Sequence, residues 1–166
     1  MLPGVTMKLF LPILAITFLL PDYALANEQN KETKSLELIV YKTPTCGCCK
    51  DWISHITKEN INAQPKTYQN ISLIKSQYEI KPEYRSCHTA VSNNGFIFEG
   101  HIPAKFIKKF LSEKHPNSIG LSVPGMTVGS PGMEHGTKFM PYKVLLLLKD
   151  GSSSTYVEVN RYEDQF

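Results

Sequence analysis

Three of the four cysteines stand within four residues, in Thr43-Pro44-Thr45-Cys46-Gly47-Cys48-Cys49-Lys50. The apolar run Leu36-Glu37-Leu38-Ile39-Val40-Tyr41 precedes them. Lys50-Asp51-Trp52-Ile53-Ser54-His55-Ile56 follows, with Trp52, Ile53 and Ile56 on one helical face. The pattern reads as strand, thiol turn, helix. Thiols at a helix N-terminus face unpaired backbone N–H groups and the positive end of the helix dipole, which favour thiolate. Thiolate is the form that attacks disulfides and binds soft metals.

The rest of the chain extends this unit. Leu36–Tyr41 is near-continuously apolar, as in a strand covered on both faces. A weak second strand lies around Ala63–Tyr68, weakened by Pro65. Ile71, Ile74 and Tyr78 recur at helical spacing after Asn70, a candidate N-cap. Pro82 ends that helix, and Tyr84–Val91, which contains Cys87 and His88, leads into a third strand. Asn93-Asn94-Gly95 is a hairpin signal before Phe96-Ile97-Phe98-Glu99. Pro103 opens a helix with Phe106, Ile107, Phe110 and Leu111 on one face, and its lysines 105, 108, 109 and 114 read as a solvated face.

The resulting order, β-α-β-α-β-β-α, is thioredoxin-like, with its reactive thiols at the first strand-to-helix turn. A Gly/Pro-rich loop from Ser122 to Met140 follows. Tyr142–Leu148 and Thr155–Val159 then flank Asp150-Gly151-Ser152 as a C-terminal hairpin packed onto the same sheet. The fold class is thus α/β: a thioredoxin-like core, an inserted Gly/Pro/Met loop and a C-terminal hairpin.

With 166 residues the chain suits one domain after a short leader. Lys8, the apolar Leu9–Leu20 and Ala24-Leu25-Ala26 have the form of a secretory signal, predicting residues 1–26 as signal peptide, 27–166 as the domain and a periplasmic address. No run has the length of a membrane span, so none is expected after cleavage. The formal charge of +3 is mild, and no lysine tract is interleaved with aromatics, so nothing points to nucleic acid.

The thiols admit three readings. Cys46 and Cys49 form a C-x-x-C pair suited to a thiol-disulfide oxidoreductase, in which the first thiol attacks and the second resolves. Cys48, inserted between them, is awkward for that exchange yet is simply one more ligand for a metal. Alternatively, the four cysteines form two disulfides in one of three connectivities, although neighbouring Cys48 and Cys49 crowd any pairing. For metal binding, Cys46, Cys48, Cys49 and Cys87 are the candidate ligands, with His88 beside them. Met126 and Met133 both follow glycine in a loop where no periodicity assigns them to a core, so they and His135 are further candidates. Thiolate with thioether selects Cu(I) over zinc. His101 ranks below His88 and His135, Met140 reads as core, and His55 and His115 read as surface groups.

Tyr41-Lys42-Thr43-Pro44-Thr45-Cys46-Gly47-Cys48-Cys49, Cys87-His88-Thr89-Ala90, Glu99-Gly100-His101-Ile102-Pro103-Ala104, Val123-Pro124-Gly125-Met126 and Gly129-Ser130-Pro131-Gly132-Met133-Glu134 together resemble the CopG-type periplasmic copper-resistance family, whose mark is a CxCC motif. The resemblance covers roughly Leu36–Tyr162. It implies a thioredoxin-like fold, copper held by Cys46, Cys48, Cys49 and Cys87 with Met126 and Met133 beside them, and a role in copper handling that includes redox change of the metal. The implied partners are copper ions and other periplasmic copper-handling proteins. In that family methionine is common where this chain has His135. Imidazole tolerates Cu(II) better than thioether does, so the swap implies a shifted redox preference.

Overall fold

The register of one sheet decides which distant segments meet. The computed structural model describes Met1, Gly4 and residues 36–166, so apart from those first two residues the predicted signal peptide lies outside the described residues. From Leu36 onward the chain forms β1 (Leu36–Lys42), α1 (Gly47–Lys58), β2 (Ile61–Thr67), α2 (Ser72–Gln77), β3 (Thr89–Ser92), β4 (Ile97–Glu99), α3 (Ala104–Ser112), β5 (Ser118–Ser122), β6 (Tyr142–Leu148) and β7 (Ser153–Val159). Short 3-10 turns occupy Pro82–Tyr84 and Tyr162–Gln165. The α/β class is found, and so is the β-α-β-α-β-β-α order of the first seven strands and helices, with an unexpected strand, β5, before the C-terminal hairpin.

The seven strands lie in the order β2-β1-β3-β4-β5-β6-β7. β1 pairs parallel with β2 and β4 with β5, while the other neighbours are antiparallel. Pro65 is tolerated because β2 is an edge strand. Asn93-Asn94-Gly95 turns the β3–β4 hairpin, with Gly95 at φ 81°. The Asn70 side chain accepts the Ser72 N–H at 2.8 Å ahead of α2, one position before the residue that caps it.

The main core fills the face under α1 and α3, where Leu38, Val40, Trp52, Ile56, Phe98, Ile107, Phe110 and Leu121 are buried. Ile80, Val91, Ile97 and Leu147 form a smaller cluster with Tyr41, Tyr78 and Tyr84 packed against it. β1 accordingly has buried Leu38 and Val40 alternating with half-buried Ile39 and Tyr41. His55 and His115 are not free surface groups: His55 accepts the Ala104 N–H at 3.1 Å at the start of α3, and His115 stacks on Phe110 with ring centroids 4.1 Å apart.

β5 is the strand that the sequence pattern left unassigned. It is the parallel return after α3 and joins the C-terminal hairpin to the sheet. Its small residues Ser118, Gly120 and Ser122 carry little hydrophobic signal. Gly120 has φ 150°, and a Cβ there would collide with the Ile97 carbonyl. That close approach to β4 needs a residue without a side chain.

Candidate metal centre

Tyr41 pairs with Thr89, Thr89 with Glu99 and Glu99 with Ser122, so β1, β3, β4 and β5 share one end of the sheet. The segments just beyond these residues hold Cys46–Cys49, Cys87–His88, Gly100–His101 and the Gly/Pro loop. All candidate ligands therefore belong to segments at this one end of the sheet.

Cys46 is the N-cap of α1, with φ −74° and ψ 92°, and its side chain makes no capping hydrogen bond. The first turn of α1 holds no acidic residue, while His55 and Lys58 stand in its last turn. The helix dipole thus acts on sulfur without a competing carboxylate. Cys46 and Cys49 form a disulfide with Cα atoms 5.4 Å apart, leaving Cys48 and Cys87 as the free cysteines among the described residues. The Sγ atoms of Cys46 and Cys48 are 3.6 Å apart, Cys48 and Cys87 3.9 Å, and Cys49 and Cys87 3.7 Å. All four sulfurs lie within 4.8 Å of one another.

A second set shares Cys87. His101 Nε2 is 3.0 Å and His88 Nδ1 3.3 Å from the Cys87 sulfur. His101 Nδ1–H donates to the Pro131 carbonyl at 2.7 Å, which leaves Nε2 unprotonated toward sulfur. Both imidazoles are buried, and the His88 ring lies 4.3 Å from that of Trp52. His88 Nε2 is the one buried side-chain nitrogen or oxygen among the described residues without a hydrogen-bond partner. The sequence ranking placed His101 below His88 and His135, and the structure brings His101 Nε2 nearer the Cys87 sulfur than either. Its signal was the Glu99-Gly100-His101-Ile102-Pro103 motif, which does not itself reveal that Pro131 orients the ring.

Cys87 is held from below. The Ser86 N–H donates to Glu99 Oε1 at 2.6 Å, and Glu99 also accepts from Thr89 Oγ1 at 2.6 Å and from Lys75 at 2.5 Å. Lys75 and Glu99 are both buried. No periodicity pointed to this pair, because Lys75 lies on an otherwise ordinary short helix.

The Gly/Pro loop is ordered against the site. Gly125 bridges to Ser86, its N–H donating to the Arg85 carbonyl at 3.0 Å while Ser86 Oγ donates back to its carbonyl. Gly132, at φ 83°, lies so close to α1 that a Cβ would meet Trp52 N at 2.5 Å and Cys48 O at 2.8 Å. Gln165 donates to the Gly129 carbonyl at 3.0 Å and accepts from the Tyr142 hydroxyl at 2.7 Å. Met126 and Met133 thus each follow a glycine packed beside the thiol segments. Met126 is exposed, Met133 half-buried and Met140 exposed. His135 is exposed on a turn and joins neither donor cluster.

Burial dominates the protonation of the site. It pushes the Cys87 thiol up to about 12, with the neighbouring Cys48 sulfur adding to the shift. Burial also holds His88 well below the ordinary histidine range and lowers His101. The imidazoles are therefore neutral and have lone pairs to donate, while Cys87 releases its proton when a cation replaces it. Soft sulfur and neutral imidazole nitrogen are what a copper ion would use. Reduced, the same sulfurs can also exchange disulfides.

Two solved structures described as "Copper resistance protein copG", Form 1 and Form 2, resemble this chain at 36% identity with TM-scores of 0.72 and 0.71. Each comparison covers 76% of this chain and 99% of the other. The family described as "Protein of unknown function, DUF411" matches residues 84–133, from the start of the Cys87 segment to Met133. No curated protein matches.

Proposed function

This chain belongs to the CopG family of copper resistance proteins, and we propose that it is a periplasmic copper-handling protein that binds Cu(I) through thiolates at the N-terminus of α1. Cys46, Cys48, Cys49 and Cys87 supply the primary donors, with His88 beside them. Met126, Met133 and His135 add softer or oxidation-tolerant donors from the loop. The observation that carries this reading is the gathering of four sulfurs, one of them from a separate segment, within 4.8 Å. Thiolates bridge metal ions, so the set suits more than one copper.

The Cys46–Cys49 disulfide must open before all four sulfurs can bind. A dithiol reductant does this with two electrons and two protons, becoming a disulfide itself. Copper then displaces thiol protons, so binding strengthens as pH rises. The test is metal analysis of anaerobically reduced protein against a Cu(I)-specific chelator. The wild-type chain retains copper, whereas Cys46→Ser and Cys87→Ser lose it. Copper retention in both variants equal to wild type sinks the proposal. The periplasmic address rests on residues 1–26 and is checked by the N-terminal sequence of the exported protein.

The second reading, a thiol-disulfide oxidoreductase using Cys46 and Cys49, is favoured by the disulfide itself, which sits at a helix N-terminus as such couples do. Rapid insulin reduction by metal-free protein, together with negligible copper uptake, would select it over the first.

A further inference from the structure

Closing the Cys46–Cys49 disulfide removes two of the four thiolates, yet the second donor set is untouched. We propose that the disulfide form retains a separate site for one copper ion, made by Cys87, His88 and His101 and able to take Cu(II). The inference rests on the copper-handling reading and assigns a ligand role to His101.

The geometry is that of a built site. Cys87 Sγ lies 3.0 Å from His101 Nε2 and 3.3 Å from His88 Nδ1, and all three donors fall within 4.8 Å of one another. The Pro131 carbonyl fixes the His101 tautomer through Nδ1–H, so the nitrogen facing Cys87 carries the lone pair. A hydrogen bond from the far nitrogen of an imidazole to a carbonyl is the usual support of a metal-binding histidine. His88 is wedged between Trp52 and His101, with ring centroids at 4.3 and 5.0 Å. The ring is completely buried, and with Nδ1 facing the Cys87 sulfur its lone pair is directed at the site when the proton sits on Nε2.

The two donor sets differ in chemistry. Four thiolates favour Cu(I), whereas two imidazoles with one thiolate also accommodate Cu(II). Cys87 belongs to both, so the state of the Cys46–Cys49 pair selects between a sulfur-rich site and a nitrogen-rich one. Binding one Cu(II) releases one thiol proton from Cys87 and moves no electron. The loop contributes indirectly: Pro131 orients His101, and Gly132 seats that segment on α1.

The test uses the full domain with the disulfide closed and Cys48→Ser, so that Cys87 is the one free thiol among the described residues and cannot be oxidised by a neighbour. Titration with Cu(II) is expected to reach one ion per chain, with a sulfur-to-copper charge-transfer band and pulsed EPR couplings from two imidazole nitrogens. His101→Ala in the same background is expected to weaken binding at least tenfold and remove one nitrogen coupling. Should that variant misfold by circular dichroism, the coupling count in its parent decides alone. Binding with no imidazole coupling, or no stoichiometric binding while the reduced wild-type chain still takes up Cu(I), overturns this inference and spares the copper-handling reading. Failure of the reduced chain to bind copper overturns both.

Discussion

The candidate donors on the sheet side of the site and those on the Gly/Pro loop are held differently. Cys49, His88 and His101 are fully buried, and Cys87 is anchored through Ser86 to a buried Lys75–Glu99 pair. Met126 is 62% exposed, and His135 stands on an exposed turn. The loop is nevertheless pinned at Gly125, Gly129 and Gly132. Backbone packing and side-chain burial are therefore separate: one wall buries its candidate donors, and the other is pinned along its backbone while Met126 and His135 remain exposed. Donors locked by packing and hydrogen bonds are the ones that set the geometry of a site.

The largest effect should come from loosening the fixed wall. Glu99→Ala strands the Lys75 ammonium in the interior and frees the Ser86 N–H, and removing one partner of a buried pair typically costs about 3–5 kcal/mol. Urea unfolding should show that loss, and copper affinity should fall with it. A shift below about 1 kcal/mol would mean that the wall is no better held than the loop.

Next is the chemistry of Cys87. With its thiol pushed up to about 12, against about 8.5 for an ordinary cysteine, the thiolate fraction near pH 8 falls on the order of a thousandfold. Greater basicity restores part of the rate, so alkylation in the metal-free disulfide form should be on the order of a hundredfold slower than for a free cysteine. Mass spectrometry of iodoacetamide-treated protein measures this, and the rate should climb with pH. Because the folded-state value is raised, the associated stability is full below the ordinary thiol range and is lost as pH rises toward 12. Fast labelling at pH 8 would show that the sulfur is as open as the loop.

Smaller again is Gly132→Ala, whose Cβ would press on the α1 backbone at Trp52 and Cys48. A strained positive φ and overpacking together suggest about 1–3 kcal/mol, read as a lower urea midpoint. An unchanged midpoint would show that the loop yields without cost.

The smallest effects belong to the exposed donors. Met126→Leu and His135→Ala should each alter unfolding by less than about 0.5 kcal/mol. They should change copper retention against a chelator only a few-fold, far less than Cys87→Ser does. Losses equal to that of Cys87→Ser would erase the distinction between the two walls.

Much of the architecture was legible because its signals are local. The alternating or continuous apolar runs of β1, β6 and the helices, Asn93-Asn94-Gly95 and Asp150-Gly151-Ser152 announce their elements within a few residues. β5 escaped because three of its five residues are serine or glycine, and its stability comes from lying between β4 and β6. His55 read as a surface group because the Ala104 N–H that it meets is 49 residues away, and His115 because its stacking on Phe110 crosses the end of α3 and follows no helical spacing.

From its own local pattern the chain determined a thiol turn between a strand and a helix, an α/β succession of elements and a loop rich in soft donors. Only the tertiary structure decided that Cys87 meets Cys49 from 38 residues away, that His101 shares its sulfur, and that Pro131 and Glu99 hold those groups in place. The reason is register. Strand pairing aligns the ends of β1, β3 and β4, and the position of one side chain relative to another across those pairings is set by hydrogen bonds and packing over the whole sheet.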